Sequence, residues 1–90
     1  MKKYVIERNV TGIGKNDQKG LSGISHTSNN ALAKLTPRIQ WQMSFVAADK
    51  TFCIYLAEDE AAIREHARLS GFPANIITEI KAVIDPATAV

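Results

Sequence analysis

Residues 38–46 alternate between apolar and polar side chains, and this constrains the chain more than any other feature. Ile39, Trp41, Met43 and Phe45 share one parity; Arg38, Gln40, Gln42 and Ser44 share the other. Successive side chains of a strand point to opposite faces, so a period of two means a β-strand. Ala47-Ala48-Asp49-Lys50 is a short turn, and residues 51–56, Thr51-Phe52-Cys53-Ile54-Tyr55-Leu56, return as the second arm of a hairpin. With Ala48-Asp49 at the tip, Phe45 is expected opposite Phe52, Met43 opposite Ile54 and Trp41 opposite Leu56. The other face then pairs Gln42 with Tyr55, Ser44 with Cys53 and Val46 with Thr51.

The rest of the chain builds around that hairpin. Residues 3–10 are rich in β-branched and aromatic side chains and read as a first strand. Gly12 and Gly14 mark a loop over 11–16, and Asp17 is placed to cap a helix. Leu21, Ile24, Ser28, Ala31, Leu32 and Leu35 recur at steps of three and four, the face of that helix over 18–35. Gly20 and Gly23 weaken its start by about 1 kcal/mol each relative to alanine. Thr36-Pro37 ends it, since a residue before proline is pushed out of the helical region.

A second helix is expected over 58–70. Glu58, Asp59 and Glu60 put negative charge at its positive end, and Glu60 and Arg64 form an i,i+4 pair. Gly71-Phe72-Pro73 is a stop signal, because glycine takes the left-handed turn and proline forbids continuation. Residues 75–84 are a last strand closed by Asp85-Pro86, and 87–90 are a tail. The order β-α-β-β-α-β predicts one α+β, ferredoxin-like domain over residues 1–90. It has a four-stranded antiparallel sheet with two helices on one face.

A sheet covered on one side should have a wet face opposite. Here Ile76, Ile80 and Ile84 stand on one side of the last strand and Ile77 and Val83 on the other. The hairpin adds Trp41, Met43, Phe45, Phe52, Ile54 and Leu56. The chain is 46% apolar, and that fraction is spread over both faces. Exposed apolar clusters of this size mark interfaces. A homodimer joined sheet to sheet is therefore expected, the dimeric α/β-barrel arrangement. Which face packs on the helices stays open.

Charge narrows the partners. Eleven basic residues face nine acidic ones, for a net charge of +2, and the two signs interleave. Nucleic-acid binding calls for a clustered basic stripe, and the longest basic run is Lys2-Lys3. No apolar stretch approaches the roughly 20 residues of a membrane helix. Met1-Lys2-Lys3 opens like a signal peptide, but Glu7 and Arg8 interrupt any apolar region. The single Cys53 has no partner for an internal disulfide, so a reduced, cytoplasmic setting is expected.

The chain has no CxxC, HExxH, glycine-rich phosphate loop or GxSxG motif. Its candidate site residues are scattered. His66 lies on or beside the inward stripe of the second helix, either as a ligand or base or as a hydrogen-bonded histidine at the core margin. Cys53 stands mid-strand as a small hydrophobe or a thiolate ligand. Glu7 and Arg8 lie on opposite faces of the first strand, so one of them must meet a covered surface. A carboxylate there could be a metal ligand or base, although a salt bridge is the commoner outcome. Trp41, Met43 and Tyr55 are candidate pocket-lining residues, with core packing as the alternative. His26 falls on the solvated side of the first helix.

Several stretches together resemble a bacterial family of small domains of unknown function that includes a nickel-binding protein. They are Tyr4-Val5-Ile6-Glu7-Arg8, Asp49-Lys50-Thr51-Phe52-Cys53-Ile54-Tyr55, Ala62-Ile63-Arg64-Glu65-His66-Ala67, Gly71-Phe72-Pro73-Ala74-Asn75 and Ile84-Asp85-Pro86-Ala87-Thr88-Ala89. The resemblance implies a ferredoxin-like fold, a homodimer, and nickel or another divalent metal at or near the dimer interface. It implies no reaction. His66 is retained as principal ligand, with Glu7 or Cys53 assisting. Relatives often carry histidine where this chain has Met43 and cysteine where it has Asn29. Thioether is a poorer ligand than imidazole for a divalent ion. Two other readings stay open. One is a cofactor-free monooxygenase- or isomerase-like enzyme with a hydrophobic pocket for a small molecule and His66 as base. The other is a purely structural or regulatory dimerisation module.

Overall fold

A computed structural model describes residues 1–89. Four strands, β1 (Lys2–Asn9), β2 (Ile39–Val46), β3 (Lys50–Ala57) and β4 (Ile76–Ile80), alternate with two helices, α1 (Gln18–Ala33) and α2 (Glu60–Ser70). Single 3₁₀ turns occupy Ile13–Lys15 and Pro86–Thr88. The sheet order is β2-β3-β1-β4, with every neighbouring pair antiparallel. This is the expected ferredoxin-like plan.

Each helix begins where a short acidic side chain meets free backbone N–H groups. Asp17 accepts from Gly20 N at 2.9 Å, and Asp59 accepts from Ala62 N at 2.9 Å. α2 therefore starts two residues later than expected, with Glu58 outside it. It ends as its sequence dictates: Gly71 has φ 80° and donates its N–H to Ala67 O at 3.0 Å. A left-handed residue there is cheap only for glycine. The last turn before Pro37 unwinds earlier than expected, at Ala33, although Leu35 is still buried.

The structure settles which sheet face meets the helices. Tyr4, Ile6 and Arg8 of β1 and Thr51, Cys53, Tyr55 and Ala57 of β3 are all buried. The small side chains at 51, 53 and 57 let helices approach this mixed face closely. The opposite parity carries Val5, Glu7, Phe52, Ile54 and Leu56, all only half-buried. On the open face Met43, Phe45 and Ile76 are 52%, 58% and 52% exposed.

Two strand expectations need correction. The hairpin pairs as expected from Val46–Thr51 back to Met43–Ile54, but a bulge then intervenes. Beyond it Trp41 faces Tyr55 rather than Leu56, and Gln42 has no partner across the ladder. An extra residue in a bulge reverses the facing of the strand beyond it. Ile39 and Trp41 thereby join the helix side, while Met43 and Phe45 stay outside. The second correction concerns β4, expected over 75–84 but ending at Ile80. Its partner β1 pairs Lys3 with Ile80 and starts at Lys2, so residues 81–84 run past the sheet. Val83 and Ile84 are accordingly exposed.

Candidate functional site

The site begins with parity on β1. Glu7 and Arg8 do lie on opposite faces. Glu7 points to the open face, 3.8 Å from Lys50 Nζ. Arg8 points inward and is 3% exposed. Among the described residues no carboxylate neutralises it. Its Nη1 donates to Pro73 O at 2.9 Å and to Phe72 O at 3.4 Å. The stop sequence after α2 thus also turns two carbonyls onto a guanidinium. The Arg8 guanidinium carbon lies 5.8 Å from the centre of the Tyr55 ring, a cation–π contact. Its Nη2 is buried without a partner.

Beside Arg8 a cavity of about 310 Å³ opens between α1, the hairpin and the loop after β1. Val10, Ile13, Leu21, Ile24, Val46 and Phe72 form its apolar walls. Ser25, Ser28, Ser44, Thr51 and Tyr55 add side-chain hydroxyl groups, and Cys53 adds a thiol. The loop wall is held in place by backbone contacts to the hairpin tip. Val10 N donates to Asp49 O at 2.9 Å, Gly12 N to Asp49 Oδ1 at 2.8 Å and Gly14 N to Ala48 O at 3.0 Å. A Cβ at Gly14 would lie 2.6 Å from Ala47 O, so only glycine permits this approach.

His66 lies behind the cavity, fully buried on α2. Its Nε2 is 3.2 Å from Ser28 Oγ, and its Nδ1 has no partner. Burial, and secondarily the Arg8 charge, lowers its pKa to about 4, against a small opposing effect from Ser28. The ring is therefore neutral at pH 7. It tilts against Tyr55 with ring centres 5.4 Å apart. Burial pushes the Tyr55 phenol up, and the Arg8 charge works against that shift. Ser28 thus joins two environments: it lines the cavity, and its hydroxyl bonds the histidine.

The sequence-expected residues do not gather in one place. Tyr55 and Cys53 line the cavity. Cys53 Sγ is 3.4 Å from Thr51 Oγ1. Trp41 packs on the core and donates to Ser44 Oγ at 3.0 Å, one step behind the wall. Met43 stands on the open face, and Glu7 is across the sheet from Cys53 and His66. Sequence reasoning missed Arg8 as the cavity's charged group and Phe72 as one of its walls. Ser28 was already on the inward stripe, and its small size among larger apolar neighbours was the available signal.

The nickel responsive protein SCO4226-like family matches residues 4–80 of the chain. The fold is similar to the crystal structure of SCO4226 from Streptomyces coelicolor A3(2), with a TM-score of 0.75 at 12% identity. That match covers 91% of this chain and 99% of the other. No curated protein matches the chain. The nickel in the family's description finds no donor set among the described residues of one chain. Among the described residues, no three His, Cys, Asp or Glu side chains come together to hold a metal. The lone thiol in the cavity also shares it with the Arg8 cation, which repels a divalent ion.

Proposed function

Because the chain belongs to the nickel responsive SCO4226-like family yet holds a cavity and no cluster of metal donors among its described residues, we propose a binding role. In this reading it is a homodimeric protein that takes up a small organic molecule without transforming it. The cavity is the observation that carries the proposal. Its volume falls at the lower end of ligand pockets, about 300–1,000 Å³, and apolar walls with a few polar groups are their usual lining. The nearest approach to catalytic machinery is Ser28 with His66. A serine nucleophile needs a base oriented by a third group, and His66 Nδ1 has none.

The test uses 1-octanol as a neutral probe, followed by amide NMR shifts. Saturable shifts are expected at Ile24, Ser28 and Cys53, and Ile24→Trp, which fills the cavity, should abolish them. Shifts confined to the open face around Phe45 and Phe52 would overturn the assignment.

The open face supports pairing of two copies. Stable interfaces bury about 800 Å² per partner, and exposed Met43, Phe45 and Ile76 join half-buried Phe52, Ile54 and Leu56 there. Sedimentation equilibrium is expected to give twice the 9.9 kDa chain mass. Phe45→Glu, which places a charge in that face, is expected to return the single-chain mass. A wild type that stays at the chain mass at every concentration ends the idea of a dimer.

Nickel bound by this protein would draw donors from two copies, since the described residues of one copy supply no cluster. His66 is enclosed and engaged with Ser28. Calorimetric titration with nickel chloride is therefore expected to give one isotherm for wild type and for His66→Gln. A response lost with the ring would return His66 to the ligand set.

A further inference from the structure

We propose that the cavity is a binding site for a small carboxylate with an apolar tail, its anionic end held by Arg8. This rests on the reading of the cavity as a ligand site and names the ligand's chemical class.

A buried cation needs a partner. Removing a charged side chain from water costs several kcal/mol unless an opposite charge or a full set of hydrogen bonds replaces the solvent. Arg8 is 3% exposed. Two backbone carbonyls occupy Nη1 and the Tyr55 ring faces the guanidinium. Nη2 is shut in without a hydrogen-bond partner, so a ligand meets it once the side chain turns toward the cavity that Arg8 lines. Among the described residues no carboxylate pairs with Arg8: Glu7 lies near Lys50 on the other face, Glu58 near Arg38, Glu60 near Arg64, Glu65 near Arg68 and Glu79 near Lys81. Asp17 and Asp59 cap the helices, Asp49 accepts from Gly12 N, and Asp85 accepts from Thr88 Oγ1. A guanidinium matches a planar carboxylate in shape, and its hydrogen bonds to one are charge-assisted. Ser28 and Thr51 also line the cavity, and either hydroxyl can serve the second carboxylate oxygen when its proton is not given to its present partner, His66 Nε2 or Cys53 Sγ.

The walls choose among anions. One free guanidinium nitrogen is too little for a phosphate dianion, whose sites gather several donors and cations. Ile13, Leu21, Ile24 and Phe72 offer only apolar surface, which rewards a hydrocarbon tail. At about 30 Å³ for each water-sized group, the 310 Å³ cavity holds a ligand of about ten heavy atoms. Medium-chain fatty acids and small aromatic acids have this size. Val46, 44% exposed, lines the cavity and marks its opening to solvent.

The experiment compares octanoate with 1-octanol by calorimetry on the intact protein. Octanoate is expected to bind at least tenfold tighter than octanol. Arg8→Met, which keeps the length and removes the charge, is expected to erase that preference. In wild type, octanoate should also shift the Arg8 side-chain NMR signals, and octanol should not. That measurement stands even if Arg8→Met does not fold. Equal affinities with unmoved Arg8 signals overturn the carboxylate and leave the cavity as a neutral-ligand site. Failure of both probes to bind overturns the cavity reading as well.

Discussion

Ile63→Ala is expected to cost the fold about 2–5 kcal/mol, the range for truncating a fully buried isoleucine. Ile63 is 0% exposed, and it lies in one buried cluster with Ile6, Tyr55, Ala57 and Ala62. α2 presents few large apolar side chains inward. Ala62 and His66 are its other buried residues, and Leu69 is half-buried. Alanine at 62 cannot move to fill a void at 63, and the ring at 66 is tied to Ser28. The void would therefore persist, and the lost contacts would go uncompensated. For a domain of this size each kcal/mol moves the thermal midpoint by about 4–8 °C, so a fall of at least roughly 8 °C is expected. Arg64→Ala is the internal control. Its pair with Glu60 is 3.6 Å long, with the two side chains 61% and 51% exposed, and such surface pairs contribute little. Urea unfolding followed by circular dichroism, at one fixed protein concentration because dimerisation couples to stability, should separate the two variants clearly. Coincident midpoints would mean that Ile63 does not anchor α2.

The contrast between those neighbours is readable in the sequence, because helical spacing puts 62, 63 and 66 on one stripe and 64 on the other. Other features are legible for similar local reasons. Asp17 and Gly71 mark helix ends through side-chain and backbone chemistry that needs no tertiary partner. The hairpin register near its tip comes from turn length alone. The bulge before Met43 does not show in the sequence. A run of Ile39, Trp41, Met43 and Phe45 looks like one face, and only packing against the helices divides it between core and exterior. The length of β4 is hidden for another reason: it is set by where β1 begins, a long-range pairing that local apolarity does not report.

The site is legible in its parts and not in its assembly. Parity places Glu7 and Arg8 on opposite faces, but not which one goes inside. The common expectation of a salt bridge holds for Glu7 and Lys50 and not for Arg8. The carbonyls that receive Arg8 come from a segment 64 and 65 residues away, whose sequence signals only a helix stop. Helical spacing puts His66 on the inward face, where the structure has it. Its accessibility depends on Ser28 and Tyr55 packing over it, and no spacing rule gives that.

That enclosure gives His66 a pH signature. Wild type is expected to lose stability between pH 6.5 and pH 4, and His66→Gln is expected to be spared that share of the loss. The folded-state pKa is lowered from 6.5 to about 4, first by burial and then by the Arg8 charge. In that window the unfolded chain binds a proton at His66 that the folded chain refuses. Protons therefore favour unfolding, and stability rises with pH until the unfolded histidine is itself neutral near 6.5. At 1.36 kcal/mol per pH unit, the full window amounts to about 3 kcal/mol. Below about pH 4 the folded ring titrates too, and the contribution stops growing. The exposed carboxylates and His26 are common to both proteins, so the difference between the two stability curves isolates residue 66. Glutamine keeps a polar group near Ser28 and carries no titrating proton. Urea unfolding at half-unit steps from pH 7 to pH 4 should show the two curves approaching one another toward the acid end, as wild type falls faster. Parallel curves would mean that the ring is protonated inside the fold, with a partner for Nδ1 that offsets both its burial and the Arg8 charge.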